Sequence, residues 1–371
     1  MKVWCLGLMA MLSCSLNVWS QNQRDSTDQR QTGKNYPAFI AGVNPGGIWA
    51  HSDEVSHLAQ SHPTHYFLEV HFRNPQKNWH RKMGKASAGV AAVLVDYRNP
   101  TLGHSFTLIP FLEPRIRPNW SFRIGTGFAW NFHPFSLDNH QNLMLGSNLT
   151  MVMHGQTNWQ PFAMREKKQP GDFLAPLRLG IGLTHFSNGA FQVPNLGVNL
   201  FFLSLGYGFG NALKGKTQDP EPTTELNKAW SVQLSGSFSL VQKFPVLGPR
   251  YPVYQIQTRL RRTIGYYSSL SLGVDGMYNA SYQALIREDS TKGRQAASIG
   301  IPIGHELRVS ERLRLLAELG WYAYKNHSLS PSLYQRYGLR YFWNTHIYNA
   351  IYLKAHKGKA ECLEWNLGWE Y

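Results

Sequence analysis

The chain reads as all-β, an antiparallel transmembrane β-barrel of about 14 strands with roughly 12 to 16 compatible with the pattern. Three observations predict it. From about residue 36 onward, apolar residues alternate with small or polar ones in segments of about ten, separated by polar, Gly- or Pro-bearing turns. In NWSFRIGTGFAWNF, Trp120, Phe122, Ile124, Phe128, Trp130 and Phe132 share one face, and Ser121, Arg123, Gly125, Gly127 and Asn131 the other. In AWSVQLSGSFSL, Trp230, Val232, Leu234, Phe238 and Leu240 oppose Ser231, Gln233, Ser235, Ser237 and Ser239. Second, the wet faces read as small and uncharged rather than Lys/Glu-rich, which suits a lumen better than the water-facing side of a sandwich. Third, aromatics gather at strand ends, where the two membrane interfaces favour them.

The elements follow in order. MKVWCLGLMAMLSCSLNVWS has a basic start at Lys2, an apolar core and small residues ending at Ser20, so residues 1–20 read as a signal peptide. A lipoprotein cut before Cys14 fits poorly. Export removes Cys5 and Cys14 and leaves Cys362 alone, so no internal disulfide holds the mature fold. Residues 21–35, QNQRDSTDQRQTGKN, are a polar lead-in, and 36–371 form the barrel. Candidate strands lie near 38–49, 65–73, 87–97, 103–113, 120–132, 145–154, 175–187, 197–209, 228–240, 251–261, 266–280, 296–308, 312–325, 337–356 (one or two) and 361–371. Segments 74–86, 155–174 and 210–227 read as long loops. The final ECLEWNLGWEY lines Leu363, Trp365, Leu367, Trp369 and Tyr371 on one face, as the last strand of bacterial outer-membrane barrels does. No apolar run approaches the ~18 residues of a spanning helix. The formal charge of +15 is expected on barrel rims and loops beside an anionic envelope surface, with no basic run that suggests nucleic acid.

One stretch departs from the alternation. In APLRLGIGLTHFS, His185 and Ser187 take apolar positions in line with Leu177, Leu179, Ile181 and Leu183. On the next strand Asn199 leads Phe201, Leu203, Leu205, Tyr207 and Phe209. All three polar groups therefore face lipid at the rim, which is costly unless they satisfy one another. His185 and Ser187 stand roughly 6–7 Å apart along one face, and the hairpin NGAFQVPNLG brings Asn199 beside His185. A hydroxyl, an imidazole and a group that fixes the imidazole tautomer are the parts of a serine hydrolase. Asn188, Asn195 and the amides of Gly189 and Ala190 are candidate oxyanion donors. By spacing alone the signal is weak, and a polar interfacial turn is the better explanation of these residues.

HFSNGAFQVPNLGVN resembles the motif of the PagL-type lipid A deacylases, also called acyloxyacyl hydrolases, in which His-x-Ser-Asn precedes a Pro-Asn-x-Gly turn and a third catalytic residue. The resemblance covers about residues 175–209. It implies an outer-membrane barrel with its catalytic face toward lipid, His185 as general base, Ser187 as nucleophile, and Asn188 and Asn195 in supporting positions. Asn199 stands where the family carries glutamate, and the chain is about twice the length of the eight-stranded members. The expected activity is removal of an ester-linked acyl chain from lipid A, without cofactor or metal. Alternatives are an outer-membrane phospholipase of Ser-His-Asn type, calcium-assisted by analogy, a non-enzymatic pore or structural barrel, and a soluble β-sandwich. Elsewhere, His65, Glu69 and His71 share a strand face and are read as lumen lining rather than a metal site. His51 with Ser52, and His104 with Ser105, are read as surface or interfacial.

Overall fold

A computed structural model describes residues 37–50, 53–72, 86–162, 174–210, 229–243, 245–357 and 359–371. The signal peptide, the lead-in, His51 and Ser52 lie outside these residues, as do most of the loops expected at 74–86 and 210–227 and the greater part of that expected at 155–174.

Alternation alone leaves a sheet with two unpaired edges, and the strands remove those edges by closing. Nine strands precede residue 211: β1 (Ala38–Ile48), β2 (Thr64–Phe72), β3 (Ser87–Asp96), β4 (His104–Glu113), the three-residue β5 (Arg115–Arg117), β6 (Trp120–Asn131), β7 (Leu149–Trp159), β8 (Leu177–Ser187) and β9 (Val198–Gly210). Eight of them form an antiparallel ring in chain order, with β4 pairing β6 and β9 returning to β1 through Phe39↔Phe209 and Ile48↔Leu200. β5 only flanks β6. A second ring runs through β10 (Trp230–Gln242), β11 (Arg250–Thr263), β12 (Ser268–Asn279), β13 (Gly293–Arg308), β14 (Leu313–His327), β15 (Leu333–Phe342), β16 (Ile347–His356) and β17 (Lys359–Glu370), and closes through Phe238↔Trp365. Helix α1 (Ala280–Glu288) joins β12 to β13, its N-terminus capped by the Asn279 side chain. The antiparallel barrel architecture expected from the sequence is thus present, but as two rings of eight strands rather than one ring of about 14. Period-two alternation reports which face a side chain takes, but not which strands meet to close a ring.

An eight-stranded ring is just wide enough for side chains to fill, and both interiors are packed. In the first barrel, Arg123 bonds both Glu69 oxygens and places its Nε 3.0 Å from Glu113, while Arg178 reaches Glu113 at 2.6 Å. In the second, Arg336 lies among Asp275, Glu318 and Glu364 at 2.6–2.9 Å, and Arg340 pairs with Glu306 at 2.6 Å. This corrects the expectation that the basic charge sits on rims and loops. Of RLRR, Arg259 and Arg261 point inward while Arg262 is exposed. Outward faces are apolar, as a bilayer requires: Ile181, Leu203, Ile256 and Leu367 are all exposed. No described helix is long and apolar enough to cross a membrane.

Strand β7 begins and ends later than the pattern suggested. Leu145 turns inward and is fully buried, which ends the run there. Gln156 and Asn158, which resemble loop residues in sequence, are buried lumen residues of β7 bonded to each other at 2.6 Å. The segment 337–356 resolves as the two strands β15 and β16.

Candidate active site

The wall formed by β7, β8 and β9 carries the site. Arg178, Thr184 and Phe186 of β8 are buried in the lumen, so alternation turns Leu183, His185 and Ser187 to the outer face. On β9, Leu200 and Phe202 are buried inward and Phe201 and Leu203 exposed outward, which aims Asn199 out as well. His185 and Asn199 are direct cross-strand partners. Their side chains meet with His185 Nδ1 2.7 Å from Asn199 Oδ1. A carboxamide oxygen only accepts, so Nδ1 carries the proton and Nε2 presents its lone pair. Left unpaired on a lipid-facing surface, each such group would cost about 2–7 kcal/mol.

Ser187 ends β8 and is buried. The turn folds back over it, and Asn195 Nδ2 donates to Ser187 Oγ at 2.9 Å. The Asn195 oxygen accepts from the Asn188 backbone N–H at 3.1 Å, and Asn188 Nδ2 donates to Ser147 Oγ at 3.1 Å. Leu196 and Gly197 anchor this return by donating to the carbonyls of Leu143 and Met144. Gly197 has φ +76°, and a Cβ there would stand 3.0 Å from His185 Cε1 and 2.8 Å from the Phe186 carbonyl. Only glycine lets the turn pass so close to the imidazole.

The structure thus brings His185 to Asn199 and Ser187 to Asn195 and Asn188. Gly189 and Ala190, with φ +66° and +61°, group instead with the unit of the second barrel, where the Ala190 carbonyl accepts from the Gln242 N–H at 2.9 Å. Sequence reasoning missed Ser147, Met151 and Met153. The two methionines are the register partners of Ser187 and His185 and share their outward parity; both lie inside the strand expected at 145–154, and only the cross-strand register was missing. Of the residues set aside, Glu69 and His71 bond each other at 2.9 Å and Glu69 also pairs with Arg123, while Ser105 donates to Asn131 at 2.7 Å. His104 is exposed.

Residues 62–208 match the family model "Lipid A 3-O-deacylase (PagL)", and residues 228–371 match "Acyloxyacyl hydrolase, C-terminal domain". The chain belongs to the lipid A 3-O-deacylase family. Each matched region lies within one barrel, the first leaving out β1, and the hairpin of His185, Ser187 and Asn199 falls in the deacylase match. Membership makes the chain an outer-membrane ester hydrolase with lipid A as its substrate. Among curated proteins none matches the deacylase in sequence. Among solved structures, it is similar to the NanC porin (7% identity, TM-score 0.17, covering 90% of this chain and 97% of that one). It is also similar to Omp33 of Acinetobacter baumannii (6%, 0.18, 91% and 98%) and to the ferric enterobactin receptor PfeA of Pseudomonas aeruginosa (10%, 0.24, 88% and 54%). At these scores the fold rests on strand order and register.

Proposed function

We propose that this deacylase works through a triad of Ser187, His185 and Asn199 on the outer wall of the first barrel. His185 Nε2 takes the Ser187 proton as Oγ bonds to the ester carbonyl carbon of an acyl chain on lipid A. The Asn199 oxygen holds the imidazole N–H and orients the ring. Asn195 Nδ2, already on Ser187 Oγ and steadied by Asn188, donates to the developing oxyanion. As the carbon–oxygen bond to the sugar breaks, the imidazolium returns its proton to the leaving oxygen. Water then attacks the acyl-enzyme, gives a proton to Nε2, and releases the fatty acid with Ser187 restored. Every group is supplied by the chain, and substrate arrives sideways from the leaflet. β8 is the seventh strand of its ring, so with a periplasmic N-terminus the site lies at the outer leaflet, where lipid A resides.

The observation that carries this reading is the 2.7 Å bond between His185 and Asn199 on the lipid side of the wall. Purified wild type and Ser187→Ala, each incubated with lipid A and separately with phosphatidylethanolamine, test it by mass spectrometry of released fatty acid. Release from lipid A by wild type alone is expected, unchanged by a calcium chelator. Preferential release from phospholipid would favour the phospholipase, and equal profiles from both proteins a barrel without this chemistry.

A further inference from the structure

The outer wall of the second barrel carries a recess of about 790 Å³ that the hydrolase reading does not use. Its floor is one row of register partners across five strands. Gly276 pairs with Ile256, Ile256 with Gly236, Gly236 with Leu367, and Leu367 with Asn349. Beside it, Tyr278, Tyr254, Phe238 and Trp365 form a second row, a ridge of four rings on consecutive strands. The two glycines sink the floor below that ridge. Among the described residues, none with a charged side chain lines the recess.

We propose that this trough seats one acyl chain of a phospholipid from the periplasmic leaflet. At ~4.8 Å per strand the row is about 19 Å long, comparable to the ~15 Å depth of one leaflet. Strands tilt against the barrel axis, so the row runs obliquely through the bilayer's depth. Its width is one residue, which a hydrocarbon chain fills and a convex protein wall bridges over. The bilayer is what the wall already faces, and the row ends on the exposed carboxamide of Asn349, the third residue of β16. That end of the barrel has the connections 264–267, 309–312 and 343–346, whereas the other end carries α1 and the connection 243–249. Short turns are periplasmic in barrels of this type. The carboxamide therefore meets the ester region of the periplasmic leaflet, which holds phospholipid rather than lipid A.

Filling the floor tests this without disturbing the wall. A Cβ at Gly236 or Gly276 would have only a backbone oxygen 4.0 Å away, so Gly236→Leu/Gly276→Leu is accommodated. Full-length wild type and this variant are extracted from outer membranes, exchanged into detergent and examined by native mass spectrometry. Heat-modifiable migration and unchanged lipid A deacylation confirm that the variant folds. One retained phospholipid on wild type, reduced at least tenfold on the variant, is the expected result. No retained lipid on wild type, equal retention by both, lipid A in place of phospholipid, or a dimer that the variant abolishes would each overturn the proposal.

Discussion

Behind His185 and Asn199 the first barrel is filled by Phe186, Val198 and Leu200, which join Val55, Leu58, Met144 and Leu145 in one apolar cluster. The interior of the second barrel has Arg336, Arg259 and Lys354 among Asp275, Glu318, Glu361 and Glu364, with only small apolar clusters between. Both fillings close a ring of eight strands, but they do different things. Dense apolar packing holds β8 and β9 from within, so the polar pair on the other side of the same strands starts in one geometry. Ion pairs across a lumen tie facing strands together, yet each depends on its partners to offset desolvation. The barrel that carries the proposed triad is packed with hydrocarbon behind it, beside its own Arg123 and Arg178 ion pairs. The other is held by charge.

The sharpest way to break this contrast is to ask whether the first barrel alone is the catalyst. Ser187→Ala is expected to lower kcat on lipid A by at least ~10⁴-fold, measured as fatty acid released by folded protein. The second barrel also has a serine on a histidine, Ser268 Oγ at 2.6 Å from His305 Nε2. Ser268→Ala should leave release unchanged. If the residual activity of Ser187→Ala vanished on adding Ser268→Ala, catalysis would not belong to the first barrel only.

The next largest effect sharpens the electrostatic half. Arg336 is fully buried and serves three acids, so Arg336→Met leaves them uncompensated and should cost about 3–5 kcal/mol. Urea titration in micelles reads this as a lower midpoint for the second barrel. A shift below ~1 kcal/mol would mean that water already screens the lumen. Asn199→Ala removes the acceptor from His185 Nδ1 and should reduce kcat by about 10²-fold with little change in KM. Asn199→Glu, which restores the family's carboxylate, should retain activity.

Much of this was legible in the sequence because a barrel wall has only two faces. Fifteen candidate segments, one of them double, correspond to the sixteen ring strands, and alternation alone gives His185, Ser187 and Asn199 the parity of the outward apolar residues. What stayed hidden was non-local. The Arg123–Glu69 and Arg336–Asp275 pairs join residues far apart in sequence, so their pairing is hidden although Arg123 and Glu69 already read as lumen-facing. Ring closure was hidden for the same reason, since nothing local distinguishes the β9-to-β10 connection from other loops. Ser147 reaches the site through Asn188, across the lip of the barrel, and no spacing announces it.

The smallest expected effect tests how finely the packed wall sets the imidazole. Gly197 was visible in sequence only as part of a Pro-Asn-x-Gly turn, yet it lies against the edge of His185 at a backbone angle that disfavours any Cβ. Gly197→Ala should cost about 1–2 kcal/mol in the turn and push the ring from the position that Asn199 defines. If the apolar cluster behind the wall fixes β8 and β9 firmly, the strain cannot spread into the strands and must move His185, lowering kcat roughly tenfold along with the unfolding midpoint. A softer wall would absorb it, with kcat preserved and the midpoint lowered. The ratio of the two effects therefore measures whether hydrocarbon packing, rather than the hairpin's own hydrogen bonds, holds the catalytic geometry.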